Sequence, residues 1–430
     1  MGSERYIIHP MNKIYSRDEL NYKPRWLTDR IQQAVVDHPI VVLTGARQVG
    51  KSTLLQHASP MQDWRYVTMD NADTLAQALS HPESLWAGTL QIVIDETQKA
   101  PAILSAIKQA VDHAGRRELR FLISGSANLL LMKQVSESLA GRAVYLVLNP
   151  MTIGEQLERP APNILSDLLA GTLPSEGPWP EKTKISVAEW LLRGFLPPLF
   201  DLPRAEVWSQ WWEGYVGTYL ERDLRQIANI DTLTDFRRVM QLAALRTGQI
   251  LNQTEVARDA RVSQPTTHRY LNLLEATHLA QRVSAYGGNR GTAIIKSPKW
   301  FWLDSGLAAY LCGFFDEQSL RQSREYGALF ENLIYHHLAV LAQLITPRPI
   351  IHYWRTRRGD EVDFVIERGR QLLAIEVKMT DTIRFADATG LHTFIDLHPE
   401  TSAGVLLYSG EKIQRISEKV VALPWQMIAL

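Results

Sequence analysis

The sequence predicts an α/β protein: a parallel-sheet domain over residues 1–187, a helical region plus winged helix-turn-helix over 188–299, and a second α/β domain over 300–430. Three observations predict it. Apolar runs near 40–44, 65–69, 91–95, 119–124 and 143–148 alternate with amphipathic helical stretches, the pattern of a parallel sheet covered by helices. A glycine-rich run, Gly45 to Thr53, follows the first strand directly. From residue 248 two short helical segments and a glycine-tipped hairpin follow, and alternating strands return at 353–378.

Gly45, Ala46, Arg47, Gln48, Val49, Gly50, Lys51, Ser52 and Thr53 complete the phosphate-binding pattern G-x-x-x-x-G-K-[ST]. The two glycines let backbone N–H groups curl around phosphates without side-chain obstruction, and a helix starting near Lys51 turns its positive end toward the same anion. Lys51 reaches the β and γ phosphates as a point charge, and the Ser52 hydroxyl is placed to coordinate Mg²⁺. The cofactors expected are therefore ATP and Mg²⁺. The run Gln91-Ile-Val-Ile-Asp-Glu96 ends a buried strand in two acids, which puts Asp95 near the metal and Glu96 near an attacking water, so hydrolysis is expected as well as binding.

Lys plus Arg number 46 and Asp plus Glu number 46, so no global basic field advertises nucleic acid, and any such contact must be a local patch. A single cysteine, Cys312, excludes a disulfide framework and a Cys-rich zinc site and fits a reducing compartment. No apolar run has the length of a membrane span and the first residues lack a signal-peptide core, so a cytoplasmic protein with no membrane partner is expected.

The stretch 149–187, with six prolines at 150, 160, 162, 174, 178 and 180, predicts an irregular boundary or inserted loop. Within 253–275 a short helix, a turn at Arg261-Val262 and a second helix capped by Ser263, with Leu271 and Leu274 inward, have helix-turn-helix spacing. Leu279 to Ala285, a tip at 287–291 and Thr292 to Ile295 predict a wing. Gln264, Thr266, Thr267, His268 and Arg269 would then lie at the start of the second helix, with Arg290 on the wing, and Thr267, Arg269 and Arg290 are the candidate DNA contacts. A packing module or a lid over the nucleotide is the other use of such a unit.

In the last unit two alternating strands flank a turn at Glu367 to Arg370; centring it between Arg368 and Gly369 sets Asp363 opposite Ala374. Asp363, Glu376 and Lys378 then share one face, and Glu331 on the helical stretch Leu329 to Leu344 approaches it. Such carboxylates with a lysine can hold Mg²⁺ and position a water for phosphodiester attack; the same spacing also fits the charged face of a solvated strand.

Taken together, Leu43-Thr-Gly-Ala-Arg-Gln-Val-Gly-Lys-Ser, Val93-Ile-Asp-Glu, Leu122-Ile-Ser-Gly-Ser, Ser138-Leu-Ala-Gly-Arg142, Tyr219-Leu-Glu-Arg-Asp223, Lys296-Ser-Pro-Lys-Trp-Phe-Trp-Leu-Asp-Ser-Gly306 and the segment 363–378 resemble a prokaryotic family of AAA-type ATPases that ends in a domain of unknown function. The resemblance covers nearly the whole chain. It implies that Ser124 or Ser126 senses the γ-phosphate, and that Arg142 acts as an arginine finger in a neighbouring subunit's site, hence a homo-oligomeric, hexameric ring. The final segment is similar to the PD-(D/E)xK nuclease superfamily, whose ligands would be Glu331, Asp363 and Glu376 with Lys378. It departs from that pattern at Val362-Asp363, and many superfamily members bind DNA without cutting it.

The resulting expectation is a DNA-binding, ring-forming ATPase that couples hydrolysis to DNA remodelling or translocation, in the manner of a helicase or branch-migration motor. An ATP-dependent DNA nuclease and a nucleotide-controlled signalling or assembly switch are the alternatives.

Overall fold

The computed structural model describes residues 7–8, 14–15, 22–113, 118–125, 139–178, 185–218, 232–287, 297–356 and 358–430. The first domain alternates α1 (Thr28–Asp37), β1 (Ile40–Thr44), α2 (Lys51–His57), β2 (Arg65–Thr68), α3 (Ala72–Ser80), β3 (Gln91–Asp95), α4 (Ile103–Asp112), β4 (Arg120–Ser124) and β5 (Ala143–Val147). All five strands are parallel, in the order β2-β3-β4-β1-β5. Each predicted strand lies within a residue of its observed span at either end. The sheet is buried on both faces: Val41, Leu43, Val93 and Leu122 join one core, while Ile40, Val42, Ile92, Ile94, Phe121 and Ile123 join another. β1 lies between β4 and β5, so the loop that leaves it emerges close to the carboxyl ends of β3 and β4.

The proline-rich stretch is more ordered than an irregular boundary. Thr152 and Glu155 form a capping box on the short helix Ile153–Gln156, a second short helix spans Ile164–Leu169, and Gly177–Pro178 adds an edge strand to the C-terminal sheet. Gly154 must be glycine here, because a Cβ would stand 2.4 Å from the Trp26 ring, and its N–H donates to Ala429 O at 2.7 Å. One apolar core runs from the first domain through Trp190, Trp212, Phe236 and Tyr270 to Phe330, Phe364 and Trp425, so the stretch joins the units by packing.

The middle of the chain holds α5 (Val187–Arg193), α6 (Ala205–Tyr215), α7 (Leu233–Ala244), α8 (Gln253–Ala260) and α9 (Gln264–Ala276). The turn between α8 and α9 passes through Arg261 at φ +55°, and the Ser263 hydroxyl accepts the N–H of Thr266 at 3.2 Å to cap α9. β6 (Ala280–Val283) pairs antiparallel with β7 (Lys299–Trp302), which crosses the expected division at 299/300. The sequence placed the returning strand at Thr292–Ile295, residues outside those described. Among the described residues the partner of β6 is the run Lys299-Trp-Phe-Trp302, where Trp300, Phe301 and Trp302 are completely buried.

The C-terminal domain contains α10 (Ser305–Leu311), α11 (Tyr326–Leu344), β8 (Ile350–Arg355), β9 (Glu361–Arg368), β10 (Gln371–Lys378), α12 (Thr389–Leu397), β11 (Thr401–Tyr408), β12 (Lys412–Arg415) and β13 (Val420–Pro424). Its mixed seven-stranded sheet has the order β8-β9-β10-β11-β13-β12 followed by Gly177–Pro178. The register of β9 on β10 corrects the sequence reading: Val365, not Asp363, lies opposite Ala374. Arg368 pairs with Gln371, so the turn residues are Gly369 and Arg370, with Gly369 at φ +65° supplying the left-handed step of a two-residue hairpin. No helix among the described residues is long and apolar enough to cross a membrane.

Candidate nucleotide site

The loop after β1 has the backbone that the glycine spacing requires. Gly45 stands at φ +149° and Gly50 at φ +92°, and a Cβ on Gly45 would lie 2.3 Å from Leu148 O. Lys51 is buried, and its Nζ donates to the carbonyls of Gly45 at 3.0 Å and Ala46 at 2.9 Å, within the curl of the loop. Burial pulls its ammonium down to about 8, opposed by Glu96 and Asp95 and reinforced by Arg47.

Asp95, buried at the end of β3, accepts hydrogen bonds from Tyr66 Oη at 2.6 Å, from Ser124 Oγ, and from the N–H of Glu96 at 3.0 Å. Burial, then the Asp95 charge, pushes the Tyr66 phenol far up, so it stays a donor. Ser124 thus reaches Asp95 across the neighbouring strand ends, and Ser126 lies outside the described residues. Glu96 adopts φ +55°, a left-handed position unusual for a side chain with a Cβ, and accepts from the Gln98 amide. Burial and then the adjacent Asp95 raise its pKa, the direction that makes a carboxylate a better proton acceptor. The donor set fits a magnesium nucleotide: an unobstructed glycine loop, a lysine inside it, Ser52 in the first turn of α2, and a fixed carboxylate at Asp95.

Three residues that the sequence reading passed over hold this loop. Arg25 donates from Nη1 to Val49 O at 2.7 Å and from Nη2 to Asn149 O at 2.6 Å, while its Nε pairs with Glu155 at 3.1 Å in the interior. Tyr215 of α6 donates to Arg47 O at 3.3 Å. His278, just beyond α9 at φ +55°, sets Nε2 at 3.2 Å from Oγ1 of Thr44, the last residue of β1. Burial and then Lys51 lower the His278 pKa to about 4, so the imidazole is neutral at ordinary pH. None carries a local motif, but the pairing of Thr152 with Glu155 as a capping box was visible and leads to Arg25.

Residues 37–157 match the AAA domain, and residues 185–318 and 326–428 match two domains of unknown function, DUF8612 and DUF4143. The uncharacterized protein Rv2008c of Mycobacterium tuberculosis is 30% identical over 401 residues, 93% of this chain and 83% of that protein. The chain belongs to its family. An uncharacterized protein of Haemophilus influenzae is 22% identical over 79% of this chain and 82% of its own length. The Walker-type ATPase of Pyrococcus abyssi superposes over 68% of this chain and 99% of its own, at 14% identity and a TM-score of 0.41. This is an AAA-family P-loop protein, and its AAA domain implies nucleotide binding.

Elsewhere on the AAA domain, Arg142 makes a bidentate pair with Asp112 of its own chain, at 2.5 and 2.9 Å, with both side chains partly exposed. In the DUF8612 region the candidate DNA contacts divide. Thr267 is completely buried, which removes it as a groove contact: it shares the inward face of α9 with Tyr270, Leu271 and Leu274, at helical spacings of three, four and seven. Arg269 is exposed, its guanidinium 5.4 Å from the Tyr270 ring centre, and Arg290 lies outside the described residues.

In the DUF4143 region the predicted acids do gather, but around a lysine. Lys299 Nζ lies 2.7 Å from Glu361, 3.1 Å from Glu331 and 3.3 Å from Asp363, while Glu376 pairs with Lys378 at 2.6 Å. Asp363 also accepts the N–H of Val377 at 2.9 Å, where β9 and β10 diverge. Among the described residues no three His, Cys, Asp or Glu side chains are arranged to hold a metal ion as the structure stands.

Proposed function

We propose that this protein is a magnesium-dependent ATPase whose nucleotide cycle repositions the helix-turn-helix unit on DNA, as a subunit of a ring. The contact of His278 with Thr44 carries the reading: the end of α9 rests on the strand that delivers the phosphate loop, so a change in loop geometry is felt by the unit above it. Bound magnesium ATP would supply the transferable phosphoryl group. Around it, Lys51 is placed to compensate phosphate charge, Ser52 and Asp95 to hold the cation, and Glu96, with its raised pKa, to take the proton of an attacking water. On the outer side of α9, Gln264, His268, Arg269 and Asn272 are exposed at spacings that form one face, the side from which a groove would be read. Arg142 is exposed enough to leave Asp112 for a neighbouring subunit.

The burial of Thr267 and the modest charge of α9 favour a second reading, a nucleotide-controlled assembly switch in which the winged unit is a lid and DNA plays no part. The deciding experiment measures ATP turnover with duplex, single-stranded and four-way-junction DNA, with strand displacement followed on the same samples. Stimulation by any of these supports the first reading. Turnover indifferent to all three, together with a nucleotide-dependent change in particle mass, supports the second and overturns the first.

A further inference from the structure

The cluster around Lys299 differs from the charged face of a solvated strand. Lys299 is 3% exposed and opens β7, so it is carried by the strand that pairs with β6 of the winged unit, whereas the oxygens it meets belong to α11 and β9. Three carboxylates surround one ammonium at 2.7 to 3.3 Å, ordinary distances for charge-assisted hydrogen bonds. Gly248 roofs the cluster at φ +71°, where a Cβ would come within 3.1 Å of Glu331 Oε2. Beside it, Glu376 is 8% exposed; one of its oxygens pairs with Lys378, and the other, Oε2, has no hydrogen-bond partner among the described residues.

The acids Glu331, Glu361, Asp363 and Glu376 outnumber the lysines Lys299 and Lys378. Burial raises the Glu331 pKa well above its usual range, with Asp363 adding to it, and the same two causes push Glu376 up to about 8. Burial alone would lower Lys299, but Glu331, Asp363 and Glu361 outweigh it and keep the ammonium charged. A second cation placed among these oxygens would face that ammonium in a low-dielectric interior, where like charges repel most strongly.

We infer that Lys299 is the resident cation of this cluster: its ammonium takes the place among the oxygens of Glu331, Glu361 and Asp363 that a divalent metal would need. The C-terminal domain therefore grips the winged unit through charge and does not cut phosphodiesters with a metal at this position. Removing the lysine charge should open the site, since Glu331 and Asp363 then lose the ammonium they share and the unpaired oxygen of Glu376 lies beside them.

The test is Mn²⁺ uptake by the full chain without nucleotide, read as loss of the free Mn²⁺ spin-resonance signal. The wild type should show no saturable site that depends on Asp363. Lys299→Gln should gain one such site, lost again on adding Asp363→Asn, while Lys299→Arg should gain none. If Lys299→Gln does not fold, the double variant Lys299→Gln/Glu331→Gln, which removes one charge of each sign, takes its place. Wild-type uptake abolished by Asp363→Asn would overturn the inference. So would a folded charge-removed variant that takes up no Mn²⁺.

Discussion

The imidazole Nε2 of His278 lies 3.2 Å from the hydroxyl oxygen of Thr44, a contact that spans 234 residues of sequence and joins the helical middle of the chain to the strand that enters the phosphate loop. Its consequence is mechanical. Removing one such hydrogen bond costs about 1 kcal/mol, close to a fivefold change in an opening equilibrium. His278→Ala should therefore keep the fold and expose the backbone of α9 to hydrogen exchange about five times faster. Unchanged exchange in α9 would mean that α9 is held on the AAA domain by other contacts.

At the site itself, Lys51→Ala should lose nucleotide binding, because the loop then lacks the ammonium that sits inside its curl. Glu96→Gln should still bind nucleotide but fail to hydrolyse it, since an amide cannot take the proton from water. Normal turnover by Glu96→Gln, measured as phosphate release, would remove Glu96 from the role of base.

Arg142 and Asp112 hold each other on the surface of one chain. If the guanidinium acts on a neighbouring subunit, Arg142→Ala should bind nucleotide without turning it over, and Asp112→Asn, which frees the guanidinium, should raise the rate in a way that grows with protein concentration. A rate per subunit independent of concentration in both proteins would argue against action in trans.

Arg25 is the interior counterpart of that pair, 5% exposed and bonded to Glu155, Val49 and Asn149. Arg25→Met leaves the Glu155 carboxylate buried without its cation and two carbonyls without a donor. The expected destabilisation is about 3–5 kcal/mol, measurable by urea unfolding. Nucleotide affinity should fall with it, because Val49 is part of the loop.

Acid should loosen the seam between the first and last domains. His337 accepts the N–H of Ile153 at Nε2, 3.2 Å away, and meets Leu333 O through Nδ1 at 2.9 Å, so only the neutral tautomer with its proton on Nδ1 satisfies both. Burial lowers its pKa to about 4, and burial and then His337 lower that of the adjacent His336 to about 3. An unfolded histidine takes its proton near pH 6.5, so this stability is complete above about 6.5 and is lost as pH falls through the folded values, by about 3 kcal/mol for His337 alone. Thermal unfolding at pH 7 and pH 5 should show the drop, and His337→Gln should flatten it.

The strands of the first sheet were legible because a parallel strand buried on both faces is written as a continuous apolar run, bounded by turns. The phosphate loop was legible because glycine at fixed spacing is a backbone requirement. The Ser263 cap likewise marked the start of α9 to the residue. The register of β9 on β10 was not legible: the sequence reading centred the turn between Arg368 and Gly369, and pairing along the whole ladder set it at Gly369-Arg370. Thr267 looked available at the start of a recognition helix, yet its spacing from Tyr270, Leu271 and Leu274 put it in the core.

By itself, then, the sequence determined the AAA domain, its nucleotide loop and acids, the two capped helices α8 and α9, and the presence of acids in the last unit. These depend on periodicity, caps and turn residues, which act over a few positions. Tertiary structure decided that His278 meets Thr44, that Arg25 holds Val49, and that Lys299 settles among Glu331, Glu361 and Asp363. Those meetings depend on burying Trp300, Phe301 and Trp302 against α11 and on one core shared by all three units, and no local pattern encodes which distant side chains such packing brings together.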